Sequence, residues 1–276
     1  MTERTIIITG ASDGIGAAAA RALHAQGNRV VIVGRSPEKT RRIAAELGVD
    51  YHVADFSRLA EVRTLAATLL EQYPTIDVLA NNAGGIMGDR ELTVDGHEKT
   101  FQINHLAPFL LTQLLSERLI ASRATVINTS SVASRLYAKF DINDVDAEKK
   151  YSPNLAYGNA KLANILFTKE LDRRYADQGI STAAFHPGVV STSFAADSTS
   201  PMRMVYRLFG RFLLTPDKGA DTLVWLATST PGVDWERGGY YEKRKPATIS
   251  RSGQDMNLAA ALWERSEEMV AVSQRG

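Results

Sequence analysis

A phenol and an ammonium group stand four residues apart at Tyr157 and Lys161. The surrounding stretch Ala156–Glu170 is typical of a helix, where side chains at i and i+4 share one face. A neighbouring cation lowers the pKa of a phenol, so this pair could exchange a proton with an alcohol or a carbonyl group. Such neighbours also occur by chance on solvated helices, so the rest of the chain must decide between chemistry and coincidence.

Short β-branched runs alternate with longer helical patterns along the chain, which predicts βαβ units. Strands are predicted at Thr5–Thr9, Arg29–Val33, Asp50–Ala54, Val78–Asn81, Thr125–Ser130, Ser181–His186 and Gly239–Tyr241. Helices are predicted at Gly14–Gln26, Pro37–Leu47, Leu59–Gln72, Gly96–Arg118, Leu155–Ala176 and Lys218–Thr228. We therefore expect an α/β fold with one doubly wound parallel sheet of about seven strands and helices on both faces.

A glycine-rich turn, Thr9–Gly16, joins the first strand to the first helix. Glycines at positions 10, 14 and 16 let the backbone turn tightly and let a pyrophosphate approach the free N–H groups of the helix. The spacing is Gly-x-x-x-Gly-x-Gly, and similar turns also occur without a ligand. Between a strand and a helix, the turn favours a dinucleotide.

The end of the second strand bears on which dinucleotide would bind. Enzymes that prefer NAD usually place an acid there to bond the adenosine ribose. This chain has Gly34 followed by Arg35, and a guanidinium fits the 2′-phosphate of NADP. The alternative is a solvated Arg35 with Glu38 as a displaced ribose ligand. The sequence favours NADP(H), with NAD(H) as the second choice.

Composition excludes several classes of function. The chain has 276 residues, of which 44% are hydrophobic, and no cysteine, so a folded core is expected and thiolate chemistry is not. Five scattered histidines predict no metal site, and a net charge of +1 gives no reason to expect a nucleic-acid partner. No signal peptide and no membrane-spanning apolar run are evident, so we expect a cytoplasmic protein.

Several further motifs occur in the order found in one family. They are Asn81-Asn-Ala-Gly84, Asn104 in Phe-Gln-Ile-Asn-His, Thr129-Ser-Ser131, Tyr157 with Lys161, and His186-Pro-Gly188. With the glycine turn, this set resembles the short-chain dehydrogenase/reductase family over nearly the whole length. The stretch Lys149–Tyr157, Lys161-Leu-Ala-Asn164 and Phe167-Thr-Lys-Glu170 resemble its retinol-dehydrogenase-like branch. That branch often carries an N-terminal membrane anchor, which is not expected here.

The resemblance implies a single NAD(P)-binding Rossmann domain over residues 1–276, with a C-terminal extension at 243–276. It implies that Tyr157 is the general acid or base, that Lys161 tunes it and holds the nicotinamide ribose, and that Ser131 polarises the substrate oxygen. Asn104 would hold a water that links Lys161 to solvent; alternatively, it bonds the backbone inside a helix. Ser130 is the competing serine, although it is expected to bond the backbone. The implied cofactor contacts are Gly10, Ser12, Asp13, Gly14, Ile15, Gly16, Arg35, Asp55, Phe56, Asn82, Ala83, Gly84, Tyr157, Lys161, Pro187, Gly188, Val190 and Thr192.

Substrate choice is expected to depend on the segment 193–215, which follows the Pro-Gly turn. Its apolar residues alternate with Arg203, Arg207 and Arg211 at helical spacing. This pattern fits a lid over a lipophilic carbonyl or alcohol, a membrane-surface helix, or a helix that merely packs on the domain.

The leading hypothesis is an NADP(H)-dependent oxidoreductase that interconverts an alcohol and an aldehyde or ketone. The alternatives are a nucleotide-sugar epimerase or dehydratase and a catalytically silent nucleotide-binding sensor or scaffold. The complete set of Asn104, Ser131, Tyr157 and Lys161 argues against a silent protein. The insertion before Tyr157 could obstruct the family's usual helix-to-helix interface, so a monomer or homodimer is expected.

Overall fold

A computed structural model describes residues 3–189 and 214–272 of the chain. Within these ranges eight strands form one sheet in the order β3-β2-β1-β4-β5-β6-β7-β8. Their bounds are β1 Thr5–Thr9, β2 Arg29–Gly34, β3 Asp50–Val53, β4 Val78–Asn81, β5 Thr125–Thr129, β6 Ser181–His186, β7 Gly239–Glu242 and β8 Lys245–Pro246. The prediction of about seven strands missed β8, a two-residue strand antiparallel to β7. Such a short strand has no periodicity that a sequence could reveal.

Helices cover both faces of the sheet, as the sequence predicts. Their bounds are α1 Gly14–Ala25, α2 Pro37–Leu47, α3 Leu59–Gln72, α4 Lys99–Phe101, α5 Ala107–Leu114, α6 Ser116–Ala121, α7 Ala133–Leu136, α8 Pro153–Tyr175, α9 Pro216–Thr228 and α10 Met256–Val272. Successive strand residues point to opposite faces. Ile6 and Ile8 of β1 belong to the core beneath α1, α2 and α9, while Ile7 belongs to the core beneath α3, α5, α8 and α10.

The predicted long helix at Gly96–Arg118 is wrong in one respect, because it is broken into several pieces. Gln102–Leu106 forms a π-helix between α4 and α5, in which the N–H of Ala107 bonds the carbonyl of Gln102. α5 then ends at Leu114, and a separate α6 begins at Ser116. π-helical turns are rare and often occur at functional sites, and this one carries Asn104.

Helix α8 begins where local sequence signals place it. The Ser152 hydroxyl accepts a hydrogen bond from the Leu155 N–H, and Pro153 occupies the first turn. Both features are favourable at a helix N-terminus. The helix passes beneath β5 and β6, and Tyr157, Lys161 and most of the residues around them are buried. Its 23 residues carry the Tyr/Lys pair toward the carboxyl end of β5.

Candidate active site

The turn after β1 fits closely against the end of β4. Gly10 adopts a φ of +67°, in the left-handed region that favours glycine. The Asn82 side chain donates a hydrogen bond to the Thr9 carbonyl at 3.0 Å. A Cβ atom on Gly16 would lie 2.3 Å from the Gly10 carbonyl oxygen, so only glycine fits where α1 meets the turn. β1 and β4 are adjacent here although α1, β2 and β3 separate them in sequence, so this is the switch point at which doubly wound sheets bind ligands.

A cavity of about 330 Å³ opens at this switch point. Eight of the predicted cofactor contacts line it, namely Gly10, Ser12, Asp13, Arg35, Asp55, Phe56, Ala83 and Gly84. Gly14, Ile15, Gly16 and Asn82 are not among its lining residues. Ile15 packs against the core, and Gly16 and Asn82 shape the turn from behind. The glycine turn and the lining cations Arg35 and Lys39 suit a dinucleotide with its negative phosphates, while the first N–H of α1 donates to the Asp13 carboxylate.

The distal end of the cavity lies between β2 and β3. A Cβ atom on Gly34 would lie 2.3 Å from Thr40 Oγ1 and 2.7 Å from Ser12 Cβ, so the strand tip cannot carry an acidic side chain without rearrangement. Arg35 and Lys39 both line this end, and Lys39 Nζ lies 3.1 Å from Asp13 Oδ2. Sequence reasoning missed Lys39. The signal was present, because the Ser36–Pro37 start of α2 places residue 39 in the first helical turn, one turn beyond residue 35.

Ser130 and Ser131 follow β5 and have different surroundings. Ser130 Oγ is buried and donates a hydrogen bond to the Lys161 carbonyl at 2.7 Å, as expected of the serine that bonds the backbone. Ser131 is only partly buried, and its Oγ accepts from the Ala133 N–H at 3.2 Å. Ser131 Oγ therefore still has a proton to donate to another group.

Lys161 is 1% exposed. Its Nζ donates to the Thr129 carbonyl at 3.1 Å and lies 5.5 Å from the centre of the Tyr157 ring. Burial lowers the pKa of Lys161 to about 7, because the charged ammonium is costly away from water. A Cβ atom on Gly84 would come within 3.1 Å of Lys161 Nζ, so the wall of the dinucleotide cavity adjoins this amine.

The polar atoms of Asn104 are engaged with the protein. Its amide donates to the carbonyls of Gly85 at 2.9 Å and Thr100 at 2.8 Å, and its Oδ1 accepts from the Gly85 N–H at 3.1 Å. All three bonds are to backbone groups, as the alternative interpretation of Asn104 expects, and the water link from Asn104 to Lys161 stays a prediction. These bonds fix the glycine pair after β4 against the π-helix and the wall beside Lys161.

The Pro-Gly turn follows β6 as the motif predicts. Gly188 adopts a φ of +84°, and a Cβ atom there would meet Leu214 Cδ1 at 2.4 Å. Pro187 and Gly188 lie within the described ranges, whereas Val190, Thr192 and most of segment 193–215 lie outside them. His186, at the end of β6, is 6% exposed, and burial lowers its pKa.

Comparison with known proteins decides the family. The model of the short chain dehydrogenase family matches residues 4–203. The chain belongs to the short-chain dehydrogenase/reductase family. It is therefore an oxidoreductase with a nicotinamide cofactor, and the cavity at the switch point is suited to hold that cofactor.

Relatives of this dehydrogenase/reductase place it in the retinol-dehydrogenase-like branch. A Streptomyces sp. (strain C5) protein named "Putative daunorubicin C-13 ketoreductase DnrU" is 43% identical over 99% of this chain and 94% of its own length. Human retinol dehydrogenase 12 is 36% identical over 98% of this chain and 87% of its own. The solved Pseudomonas aeruginosa RhlG/NADP complex superposes with a TM-score of 0.68 at 27% identity, covering 87% of this chain and 94% of that one.

In residues 3–189 and 214–272 of this dehydrogenase/reductase, no helix combines the length and the apolar character needed to cross a bilayer.

Proposed function

We propose that this protein is an NADP(H)-dependent oxidoreductase that interconverts an alcohol and an aldehyde or ketone, with Tyr157 as its general acid and base. The observation that carries the proposal is the contact between cavity and catalytic pair. Gly84 lines the dinucleotide cavity, and a Cβ atom there would lie 3.1 Å from Lys161 Nζ, which in turn lies 5.5 Å from the Tyr157 ring. The groups that transfer the proton would then lie directly beside a bound dinucleotide.

The bound nicotinamide supplies or accepts the hydride at the substrate carbon. In reduction, the Tyr157 hydroxyl gives its proton to the substrate oxygen, and in oxidation the Tyr157 phenolate takes that proton back. The ammonium of Lys161 favours the phenolate by its charge. Ser131 Oγ donates a hydrogen bond to the substrate oxygen, where negative charge develops as the hydride arrives.

Tyr157→Phe tests this role because it removes the hydroxyl and keeps the ring. We expect kcat to fall by about 100-fold or more, since a positioned general acid contributes roughly 10²–10⁴-fold. NADPH binding, measured by fluorescence titration, should change little. Tyr151→Phe is the matched control, because that hydroxyl donates to the Gly88 carbonyl outside the proposed chemistry. Full turnover by Tyr157→Phe would show that the proton comes from another group.

The preference for NADP(H) rests on the distal end of the cavity. Arg35 and Lys39 offer two cations there, and Gly34 has no space for the acid that would bind an NAD ribose. Glu38, the displaced ribose ligand considered from sequence, is not among the cavity-lining residues. A doubly charged 2′-phosphate at this end would be stabilised by the guanidinium of Arg35 and by the ammonium of Lys39, which also lies 3.1 Å from Asp13 Oδ2.

Steady-state kinetics with both cofactors test the preference. Arg35→Ala should reduce kcat/KM for NADPH about 10- to 100-fold and change the value for NADH less than about threefold, because only NADPH carries the 2′-phosphate. Arg42→Ala, a neighbouring arginine of α2 outside the cavity lining, is the control. A wild type that prefers NADH would refute the assignment.

Two apolar side chains beside the catalytic tyrosine support a lipophilic substrate. Leu136 and Tyr137, at the end of α7, are 59% and 38% exposed. Their segment lies directly against α8, because a Cβ atom on Gly158 would come within 2.9 Å of the Ala133 carbonyl. Ile86 and Ala133 pack with Tyr157 in a small cluster, so the surroundings of the phenol are apolar.

Two relatives are named for retinol and for daunorubicin, as a dehydrogenase and a putative C-13 ketoreductase. We expect aromatic and long-chain aldehydes or ketones to be reduced at higher kcat/KM than small polar carbonyls in an NADPH absorbance assay. Leu136→Ser should reduce the difference in kcat/KM between the apolar and the polar substrates. Val233→Ser is the control and should leave it unchanged, because the Val233 side chain is 81% exposed and lies elsewhere. Preference for small polar carbonyls would refute the lipophilic assignment.

A further inference from the structure

A chain of buried polar side chains runs from the catalytic amine to the C-terminal helix. Its members are Asn164 on α8, His105 on the π-helix and Ser266 on α10, which are 3%, 0% and 0% exposed. The hydride-transfer scheme above uses none of them. Burying polar groups is costly unless they are paired, so their arrangement calls for an explanation.

Asn164 shares a hydrogen-bond acceptor with Lys161. Its Nδ2 donates to the Thr129 carbonyl at 3.0 Å, the same oxygen that accepts from Lys161 Nζ at 3.1 Å. Nδ2 also donates to the Asn104 carbonyl at 3.0 Å. The two protons of one amide thus join the end of β5 to the π-helix at the point where the catalytic ammonium is held.

The remaining atom of the Asn164 amide determines the state of His105. Because both Nδ2 protons are used, Asn164 can offer only Oδ1 to His105 Nδ1, which lies 3.4 Å away. His105 must therefore donate from Nδ1. Burial lowers the pKa of His105 to about 4, so the ring is neutral near pH 7 and Nε2 is an acceptor. Ser266 Oγ lies 2.9 Å from Nε2 and 2.8 Å from the Leu262 carbonyl, so its single proton is shared between these two acceptors.

The resulting chain has one direction. His105 donates to Asn164 and Asn164 donates to the Thr129 carbonyl, while the Ser266 proton is divided between His105 and the Leu262 carbonyl. Consecutive hydrogen bonds of this kind polarise one another in a buried environment. The ring of His105 is also held between Phe101 and Phe109, with centroids at 5.0 and 6.0 Å, so it has little freedom to turn away.

We propose that Asn164 is a positioning residue of the active site, which fixes the Thr129 carbonyl and thereby the Lys161 ammonium relative to Tyr157, and that His105 and Ser266 orient its amide. This inference rests on the proposed function of Tyr157 and Lys161. α10 thereby acts on the reaction through side chains that do not touch the substrate.

Substitution of Asn164 should move the pH profile of alcohol oxidation. The titratable side chains at this network are Tyr157 and Lys161 on α8 and His105 on the π-helix. In Asn164→Ala the ammonium is held less firmly, so the phenolate is less stabilised and the ascending limb of kcat should move to higher pH by at least half a unit. We expect kcat at pH 7 to fall about tenfold, with KM for the alcohol changed less than about threefold.

Asn164→Asp sharpens the result because it keeps the shape and replaces both donors with acceptors. A carboxylate facing the Thr129 and Asn104 carbonyls is repelled by both, and its charge opposes a phenolate about two turns away along α8. The ascending limb of the kcat pH profile should move to a higher pH than in Asn164→Ala. Ser266→Ala, a smaller change at the far end of the network, should shift the limb slightly in the same direction and remains informative if the Asn164 variants do not fold.

Asn128→Ala is the matched control. Asn128 is a buried amide of β5 that donates to Thr168 of α8 at 2.9 Å, one turn beyond Asn164 and away from the Lys161 acceptor. Loss of this amide should lower the melting temperature and leave the ascending limb of the kcat pH profile unchanged. The positioning role is refuted if folded Asn164 and Ser266 variants keep the wild-type profile and kcat. Failure of the proposed function is distinguishable, because the wild type itself would then show no Tyr157-dependent turnover.

Discussion

The two halves of the site are held in different ways. On the cofactor side, backbone approaches backbone so closely that side chains are excluded, as at Gly16 and Gly34. On the catalytic side, buried amides join the elements: Asn164 bonds the carbonyls of β5 and the π-helix beside Lys161, and Asn81 bonds Asn128 between neighbouring strands away from Lys161. The cofactor half depends on the absence of side-chain atoms at its glycines, and the catalytic half depends on hydrogen-bond geometry. Substitutions in the two halves should therefore have different effects.

The largest effect is expected from Gly16→Ala, which adds a methyl group 2.3 Å from the Gly10 carbonyl oxygen. The turn must shift, at a cost of about 1–3 kcal/mol in the free energy of unfolding. Since the same turn forms the dinucleotide site, NADPH should bind at least about tenfold more weakly by fluorescence titration. Gly48→Ala is the control, because no atom lies within 4 Å of its Cβ; unlike Gly16, Gly48 has a positive φ of +68°, so any cost of this control comes from the backbone and not from a steric overlap. Equal NADPH affinity in both variants would contradict a steric role for Gly16.

Asn128→Ala should affect stability and leave cofactor affinity unchanged. The substitution removes partners from Asn81 and Thr168, and leaving buried polar groups unpaired costs about 1–3 kcal/mol. Urea denaturation should show that loss, while the Kd for NADPH stays within about twofold of the wild type. A large change in NADPH affinity would mean that the two halves are coupled, and the contrast between them would not hold.

The smallest effect concerns the segment between Ser131 and Tyr157, which contains Asp146. His97 Nδ1 lies 3.6 Å from Asp146 Oδ2, and His97 Nε2 lies 3.2 Å from the Met269 carbonyl of α10. Burial disfavours the charged imidazole, but the Asp146 carboxylate, the Met269 carbonyl and the Asp95 carboxylate together outweigh burial and raise the pKa of His97. Although burial acts in the opposite sense, His97 and the Glu98 N–H lower the pKa of Asp146.

The stabilisation from His97 is therefore present below its unfolded pKa of 6.5 and is lost as pH rises through its folded pKa. That from Asp146 is present above 3.8 and is lost as pH falls through its folded pKa. His97→Gln should cost more stability at pH 6 than at pH 8.5, with a difference below about 1 kcal/mol, in urea denaturation at both pH values. Catalysis should be unaffected, and a pH-independent cost would show that folding does not shift the pKa of His97.

The same contrast explains what the sequence could predict. Gly10, Gly16 and Gly84 could be recognised in sequence motifs, because only glycine fits where a side chain would overlap other atoms. The alternation of strands and helices predicted the parallel sheet. Tyr157, Lys161 and Ser131 could be named from spacing and family resemblance, and the structure places all three around the end of β5. Their proposed roles still await the kinetic tests.

The hydrogen-bond network behind them was not predictable. Asn164 and Ser266 are separated by 102 residues, and only the packing of α10 on α8 brings both to His105. The break in the predicted helix at Gly96–Arg118 was hidden as well, because the π-helix retains a helical pattern of apolar residues. Long-range partners and a local change of helical pitch leave no periodic signal in one sequence.

The π-helix at Gln102–Leu106 sets the rotational phase between the chain before it and the chain after it. A π-helical turn accommodates one residue more than an α-helical turn, and each residue of an α-helix corresponds to about 100° of rotation. Deleting a single residue there would restore ordinary α-helical bonding while swinging Asn104 away from Gly85 or His105 away from Asn164. The active site thus depends on the count of residues in this helix as well as on their identity, and a length change in the helix would be more damaging than many substitutions.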